Sequence, residues 1–428
     1  MIRYQEKTAS SEAPASPAAG GEEFIAPAPR VSVQAFCETV ETASMVQACA
    51  EDRRLTKAHL RVQMGGIAAA LEAYRTSPTP NVVILESETH GEDILAGLDA
   101  LAEVCDAGTR VIVIGRHNDV LLYRELLRRG VSDYLIGPVA SIDVVRAICS
   151  LFNAPDAKPV GKILAVVGAK GGVGASSIAH NIAWAIARDM QLNAVIADLD
   201  LPFGTAGLDY NQDPTQGIAD AIFSPDRVDT AFIDRLLSKC TDHLSLLASP
   251  ATLDRVYDFG AEAFDPIFDV LRLAVPYAVL DVPHQWNAWT RRTLIGADDI
   301  LVVAAPDLAN LRNTKSILDL LRGSRPNDRR PLYLLNMVGV PKRPEIKPAD
   351  FAKAIEYEPL AVIPFEPQMF GTAANNGQMI SEIAATHKVA ETFRSLAQLL
   401  TGRGDAKRPR SGLLPPILTK LLQLGAGR

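Results

Sequence analysis

The residues with the clearest chemistry lie in a glycine-rich stretch at 168–177, between an apolar run and a segment with helical spacing. Glycines such as Gly171, Gly172 and Gly174 let the backbone turn closely around an anion. The N–H groups of such a loop and of the following helix then point at the anion. A hydroxyl two residues further on, at Ser176, suits Mg²⁺ beside a phosphate. The pattern therefore predicts a phosphate cradle for a magnesium nucleotide.

Two positions depart from the usual phosphate-binding loop, which has a lysine just before the Ser or Thr. Ala169 replaces the first glycine of that pattern, and Ala175 replaces the lysine, although a lysine occurs earlier, at Lys170. Losing one charge-assisted contact costs about 1.5–3 kcal/mol, or about ten- to a hundredfold in binding. The sequence therefore favours nucleotide binding with slow or no hydrolysis.

Carboxylates follow two further apolar runs, which we interpret as strands. Asp198 and Asp200 end the run at 193–197, and Asp281 ends the run at 277–280. In nucleotide-binding proteins, an aspartate at the end of an apolar strand typically holds Mg²⁺ through a water molecule. For Asp198 and Asp200, capping of a turn is the alternative.

The loop Lys-Gly-Gly-x-Gly with its early lysine resembles the deviant Walker A motif of the MinD/ParA class of ATPases. Alanine at the second lysine position, and the stretch 371–378, resemble the CpaE/TadZ pilus-assembly family. The resemblance extends in order over about residues 30–400. It implies that Asp200 orients water or binds near Mg²⁺ and that Lys170 reaches across a dimer interface to the partner's phosphates. It also implies that Asn336 contacts adenine.

The loop pattern and the resemblance together assign the site. The predicted nucleotide-binding residues are Lys170, Gly171, Gly172, Val173, Gly174, Ala175, Ser176, Ser177, Asn336, Pro364 and Phe365. The predicted catalytic residues are Asp200 and Lys170, and the predicted metal ligands are Ser176, Asp200 and Asp281. His284 and Trp286 follow Asp281, and the sequence leaves open whether this histidine is catalytic or a packed surface residue.

The first half of the chain alternates strand and helix patterns, with apolar runs at 81–85 and 110–114 and weaker ones at 31–36 and 60–64. Its ending, at 130–138, resembles the last strand of response-regulator receiver domains. The chemistry of phosphoryl acceptance is missing, because Glu86 stands where the acceptor aspartate belongs and Gly115 where a hydroxyl belongs. The sequence therefore predicts a pseudo-receiver used for docking or dimerisation.

The expected fold class is α/β, with two doubly wound domains, one receiver-like (flavodoxin-like) and one a P-loop NTPase domain. We expect a disordered arm at 1–29, the pseudo-receiver at 30–153, a linker at 153–159 and the MinD/ParA-like domain at 160–402. The last stretch, 403–428, joins basic residues to a short apolar segment. It suits either an ordinary docking helix or contact with a membrane surface.

Composition narrows the function classes. The net charge of −7 argues against a general nucleic-acid-binding surface. We interpret the basic stretch at 322–347 as a solvated face, and contact with DNA is the less favoured alternative. The five scattered cysteines suggest a reducing cytoplasm and no metal cluster. The apolar runs are too short for a membrane span and no signal peptide opens the chain, so we expect neither.

The resemblance implies an ATP- and Mg²⁺-binding homodimer that localises and organises a type IV (Flp/Tad) pilus secretion machine at the cell pole. Its expected partners are the pilus secretion ATPase and polar localisation proteins. The alternative is an actively cycling ParA/MinD-like ATPase that positions DNA or other cargo. The charge and Ala175 disfavour vigorous cycling on DNA, whereas Lys170, Asp200 and Asp281 favour some hydrolysis. An iron–sulfur reductase would need paired cysteines, and the second domain has only Cys240.

Overall fold

A computed structural model describes residues 24–89, 92–152 and 160–403 of the 428 residues. The chain divides into two compact units, Met1–Pro155 and Asp156–Arg428, so the division falls within the predicted linker. Most of the predicted arm, all of the linker and the tail from 404 onward lie outside the described residues. No helix in the described ranges is long and apolar enough to cross a bilayer.

Unit 1 is a five-stranded parallel sheet in the order β2-β1-β3-β4-β5. Its strands are β1 (Val31–Cys37), β2 (Ala58–Met64), β3 (Val82–Ser87), β4 (Arg110–Gly115) and β5 (Asp133–Ile136). Its helices are α1 (Val40–Cys49), α2 (Gly66–Tyr74), α3 (Glu92–Ala102), α4 (Val120–Arg128) and α5 (Ser141–Ser150).

Alternating residues of the unit 1 strands bury into two separate cores. Ile84 packs with α1 and α5, whereas its neighbours Val83 and Leu85 pack with α2, α3 and α4. Period-two alternation on a strand that is buried on both faces produces this arrangement. The predicted doubly wound α/β fold is therefore confirmed for this unit.

Unit 2 is an eight-stranded sheet in the order β13-β12-β11-β6-β10-β7-β9-β8, parallel except for the β8–β9 pair. Its strands are β6 (Lys162–Gly168), β7 (Ala194–Asp198), β8 (Ser238–Lys239), β9 (Leu244–Leu247), β10 (Tyr277–Val282), β11 (Asp299–Ala304), β12 (Leu332–Val338) and β13 (Val362–Pro364). The strands predicted before the glycine loop, at 193–197 and at 277–280 are all present, as β6, β7 and β10.

The helices of unit 2 cover both faces of the sheet, with two cores that again divide the strand residues by parity. They are α6 (Ala175–Arg188), α7 (Ala206–Asp209), α8 (Ile218–Ile222), α9 (Thr230–Leu236), α10 (Asp265–Ala274), α11 (Ala288–Gly296), α12 (Leu308–Ser324), α13 (Pro348–Ile355), α14 (Pro367–Asn376), α15 (Ile380–Ile383) and α16 (Lys388–Thr401). The predicted P-loop NTPase architecture is confirmed at the level of fold.

The strand register places the candidate residues at one edge of the unit 2 sheet. Asp281 pairs with Val166 of β6 and with Asp198 of β7, while Val303 of β11 pairs with Gly168. The carboxyl ends of β6, β7, β10 and β11 therefore lie side by side. In open α/β sheets this edge is where ligands bind.

Candidate functional site: an open glycine loop above buried carboxylates

The glycine loop connects the end of β6, at Gly168, to the start of α6, at Ala175. Gly172 and Gly174 have φ angles of +80° and +83°, a region that L side chains rarely adopt. A Cβ atom on Gly174 would lie 2.7 Å from the Asn336 side-chain nitrogen, so this position has no room for a side chain. A Cβ on Gly171 or Gly172 would meet nothing within 4 Å, so the loop has open space in front of it.

Three side chains from distant segments hold the carbonyl groups of this loop. His284 Nδ1 lies 2.9 Å from the Gly168 carbonyl oxygen, and Asn313 Nδ2 donates to the Ala169 carbonyl at 2.8 Å. Asn336 Nδ2 donates to the Val173 carbonyl at 2.9 Å. Because C=O and N–H of one peptide plane point in opposite directions, the bonds to Ala169 and Val173 direct the N–H groups of Lys170 and Gly174 away from these side chains. The loop is thus fixed in shape.

The first turn of α6 adds further hydrogen-bond donors. The first N–H groups of a helix have no partner within it, and they carry the positive end of its dipole. Ser176 and Ser177 are half-buried in this turn, and Ala175 contributes no charge. The arrangement can therefore bind an anion through backbone groups alone.

The three aspartates differ in burial. Asp198 is fully buried and accepts hydrogen bonds from the backbone N–H of Asp200 at 3.0 Å and of Ala206 at 3.1 Å. Burial and the nearby charge of Asp281 raise the pKa of Asp198 to about 7. Asp198 therefore caps the turn after β7, the alternative that the sequence left open, and it also accepts a hydrogen bond from the Ser249 hydroxyl at 3.2 Å.

Asp200 and Asp281 are the candidates for metal chemistry. Asp200 is half-buried, and burial raises its pKa above the ordinary value even though its carboxylate accepts a hydrogen bond from the Phe203 N–H at 3.2 Å. Asp281 is 3% exposed at the end of β10. Both follow strands adjacent in the sheet, so the structure places them at the edge that carries Ser176.

The donor set suits Mg²⁺ that arrives with a phosphate. Within the described ranges, no group of three or more His, Cys, Asp or Glu side chains is placed to hold a metal alone. Mg²⁺ is commonly held by one or two carboxylates, with phosphate oxygens and water completing six ligands. The hydroxyl of Ser176 and the carboxylates of Asp200 and Asp281 fit that requirement.

Lys170 is exposed at the start of the loop. Burial raises the pKa of Asp307, but hydrogen bonds from Asn310 and the charge of Lys170 outweigh it, so that the pKa lies below its ordinary value. The charge of Lys170 therefore reaches Asp307, the N-cap residue of α12. Asp307 follows β11 and Asp200 follows β7, and these strands lie on opposite sides of β6 in the sheet.

The residues predicted to border the base lie together at the ends of β12 and β13. Val338 pairs with Pro364, and the Phe365 N–H donates to the Val338 carbonyl at 2.9 Å. Asn336 is 4% exposed, and its amide nitrogen is used on the loop. Its contact with adenine stays a prediction, whereas its support of Val173 is a role that the sequence did not suggest.

His180 and Asp209 are polar residues of the site that sequence reasoning missed. His180 is fully buried on α6, with Nδ1 2.7 Å from Asp209 Oδ2. Burial lowers the pKa of His180, but the carboxylates of Asp209 and Asp281 outweigh it and raise the pKa to about 10. A histidine inside an otherwise apolar helical run was the available signal.

The corresponding region of unit 1 is closed. Glu86 is 4% exposed, and its carboxylate accepts hydrogen bonds from the N–H groups of Glu38 and Thr39, both at 2.8 Å. The hydroxyls of Thr39 and Thr42 donate to its other oxygen at 2.7 and 2.6 Å. Burial raises the pKa of Glu86, but these hydrogen bonds outweigh it, and the pKa lies below its ordinary value. This carboxylate is a structural group.

The basic stretch at 322–347 is partly engaged within unit 2. Arg325 is 6% exposed and bonds to Asp328 at 2.9 Å, and Arg343 bonds to Glu345 at 2.7 Å. Such engaged guanidinium groups are less available to phosphates of DNA, and the buried Arg325 does not belong to the solvated face that the sequence predicted.

Comparisons with known proteins were made for the whole chain. No protein-family model matches it. The septum site-determining protein MinD from Synechocystis sp. is 27% identical over 161 residues, which are 37% of this chain. The chain spans 59% of the length of that curated relative.

Two solved structures are similar to different extents of the chain. A pilus assembly protein CpaE from Caulobacter crescentus is 44% identical, and the match covers 30% of this chain and 98% of that chain, with a TM-score of 0.29. A ParA family ATPase from Chlorobium tepidum is 24% identical, covering 55% of this chain and 98% of that chain, with a TM-score of 0.50. At 24% identity the second likeness establishes fold alone.

Proposed function

Because this chain belongs to the CpaE family of pilus assembly proteins and contains the fold of the MinD/ParA class, we propose that it is an ATP-binding, dimerising localisation and assembly factor. Its system would be a type IV (Flp/Tad) pilus secretion machine at the cell pole, on the cytoplasmic side. The observation that carries the proposal is the open glycine loop, whose carbonyls are fixed from behind.

ATP binding follows from the backbone donors of the loop. Bare positions at Gly171 and Gly172 allow phosphate oxygens to approach the main chain. Ser176, Asp200 and Asp281 would hold Mg²⁺, which supplies charge neutralisation between the phosphates when it is bound. Asn336, Pro364 and Phe365 would border the base.

Slow or absent hydrolysis follows from Ala175. A lysine at this point neutralises developing charge on the β- and γ-phosphates, and a methyl group cannot. Asp200 remains as the group that would orient an attacking water. We therefore expect the nucleotide to act mainly as a ligand that holds a conformation.

Dimerisation is supported by the surface around the loop. Phe203, Trp286 and Leu308 are 66%, 53% and 74% exposed, and they follow β7, β10 and β11 at the same edge of the sheet. Exposed apolar residues at a ligand-binding edge are typical of an interaction surface. Lys170 is exposed at this edge, and we propose that it meets the phosphates of a second copy.

The central test is ATP binding by calorimetry with the full chain, with Mg²⁺ and with EDTA, beside turnover measurements. We expect Mg²⁺-dependent binding, negligible turnover, and about tenfold or greater tightening in Ala175→Lys. Absence of binding would refute the proposal. Rapid turnover stimulated by DNA would instead favour the cycling ParA/MinD-like ATPase.

A second test separates dimerisation from binding. Lys170→Ala should abolish ATP-dependent dimers in sedimentation velocity while leaving folding intact. Lys239→Ala is the matched control, because Lys239 is an exposed lysine paired with Asp242 on β8, distant in the sheet order from β6. An unchanged ATP-dependent sedimentation profile in Lys170→Ala would exclude the interface role. Loss of pili on deletion of the gene, with restoration by wild type, would test the cellular role.

A further inference from the structure

A cluster of buried polar side chains lies beside the carboxyl end of β10. Its centre is His180 on α6, with Nδ1 2.7 Å from Asp209 Oδ2 and Nε2 3.4 Å from Asp281 Oδ2. Tyr210 closes the cluster, with its ring centroid 5.6 Å from that of His180 and its hydroxyl donating to the His180 carbonyl at 2.7 Å. Neither the loop pattern nor the family resemblance assigns a role to His180, Asp209 or Tyr210.

One end of the cluster is engaged more weakly than the other. His180 Nε2 is buried and has no hydrogen-bond partner of normal geometry within the described ranges, although Asp281 is its neighbour. A buried polar group without a hydrogen bond costs free energy. A shorter distance between His180 Nε2 and Asp281 Oδ2 would therefore stabilise this end of the cluster.

The other end of the cluster is the short helix α7. Asp209 is its last residue, and the N–H of its first residue, Ala206, donates to Asp198 at 3.1 Å. Both ends of α7 are therefore tied to carboxylates that end strands of the sheet. Asp198 is bonded directly, and Asp281 is reached through His180.

α7 also lies between the site and the surface. Leu208 is 72% exposed. On another side, a Cβ atom on Gly377 would lie 2.7 Å from the Leu208 carbonyl oxygen, so the bare backbone after α14 packs directly against α7. This contact explains why position 377, the second of the two glycines in the stretch 371–378, is a glycine.

We propose that His180 is a positioning residue that couples Asp281 to α7, so that a magnesium nucleotide in the loop immobilises α7 and its exposed Leu208. The inference rests on the proposed function, because it takes Asp281 as the carboxylate next to the metal. Outer partners of metal-binding carboxylates fix their orientation, and removing such partners typically costs about ten- to a hundredfold in metal affinity. When Mg²⁺ fixes the carboxylate of Asp281, that carboxylate in turn fixes the ring of His180. The ring then fixes Asp209, to which its Nδ1 is bonded.

The test is hydrogen exchange of residues 206–211 in the full chain, without nucleotide, with ATP and EDTA, and with ATP and Mg²⁺. In wild type we expect ATP with Mg²⁺ to slow exchange of this segment about tenfold. In His180→Leu we expect that slowing to disappear and the Mg²⁺ needed for half-maximal ATP binding to rise about tenfold. Binding of ATP with EDTA should be unchanged.

Two further variants protect the test against simple misfolding. Asp209→Asn should reproduce the loss of α7 protection, and the combination with His180→Leu should add little to it, since both remove the same link. His180→Gln, which retains a donor, should restore part of the protection. The control is His243→Leu, which removes a half-buried histidine that directly precedes β9 and is bonded to Asn193, before β7, at 2.8 Å.

The outcomes separate the two proposals. If wild type does not bind ATP with Mg²⁺, the proposed function fails and this inference fails with it. If wild type and His180→Leu both bind, with equal Mg²⁺ requirement and equal protection of α7, the coupling is refuted and ATP binding stands.

Discussion

The two units place a helix N-terminus after a parallel strand in the same way and use it differently. In unit 1 the N–H groups of Glu38 and Thr39, in the turn before α1, donate to Glu86, so the protein's own carboxylate occupies the space at this strand-to-helix turn. In unit 2 the start of α6 follows Gly174, and the space before Gly171 and Gly172 is open. The comparison teaches that one architecture repeats the same strand-to-helix turn, and that in unit 1 an internal carboxylate fills the turn that unit 2 leaves open.

The largest expected effect comes from distorting the open glycine loop. Gly174→Ala adds a Cβ at positive φ, 2.7 Å from the Asn336 side chain, so the loop must distort or lose its contact with Asn336. We expect ATP affinity to fall at least about a hundredfold, measured by calorimetry. Gly323→Ala is the control, because its Cβ would meet nothing within 4 Å on α12. Equal affinities in the two variants would contradict the role of the loop shape.

The next effect comes from emptying the closed site. Glu86→Ala removes a buried carboxylate that satisfies four donors, so we expect the free energy of unfolding of unit 1 to fall by about 2–4 kcal/mol in urea titrations. Glu88→Gln should change it by less than about 1 kcal/mol, since Glu88 forms an exposed pair with Arg116 at 2.8 Å. ATP affinity should be unchanged in both variants.

A pH series sharpens the same contrast. The pKa of Glu86 lies below its ordinary value of 4.5, so the native state favours the ionised carboxylate. The stabilisation that Glu86 provides is complete above the pKa that this residue has in the unfolded chain. It is lost as the pH falls through the pKa of Glu86 in the native state, because the residue is then protonated in both the native and the unfolded chain. The stability difference between wild type and Glu86→Gln should therefore be constant between about pH 6 and 7 and shrink in acid. A difference that grows in acid would contradict this sign.

The smallest effect concerns the supports of the open loop. Asn313→Ala removes the donor to the Ala169 carbonyl at 2.8 Å, and we expect ATP affinity to fall about three- to tenfold, as for one hydrogen bond. Asn327→Ala, outside the loop, should leave affinity unchanged. An Asn313→Ala variant that binds as wild type would show that the loop keeps its shape without this contact.

Local sequence patterns were sufficient to predict the longer strands and the glycine loop, because an apolar run or a glycine spacing is visible within a few consecutive residues. They missed β8 and β9, which have two and four residues. They also did not identify α7 and α14. Gly371 is tolerated within α14, where a Cβ would meet nothing within 4 Å.

The supports of the site could not be predicted in the same way. His284, Asn313 and Asn336 reach the loop across 116, 144 and 163 residues of chain. Each is an ordinary polar residue in its own segment, and only the parallel register of the sheet brings it to the loop. The role of His180 could not be predicted for the same reason, because its carboxylate neighbours, Asp209 and Asp281, come from other elements.

The origin of these three supports has a consequence for synthesis of the chain. Residues 168–174 leave the ribosome well before Asn336, so the loop can reach its final shape only after β12 has joined the sheet. We therefore expect nucleotide affinity to appear only in the finished second unit. A nascent or truncated chain that ends before β12 should not compete for the cellular pool of nucleotide.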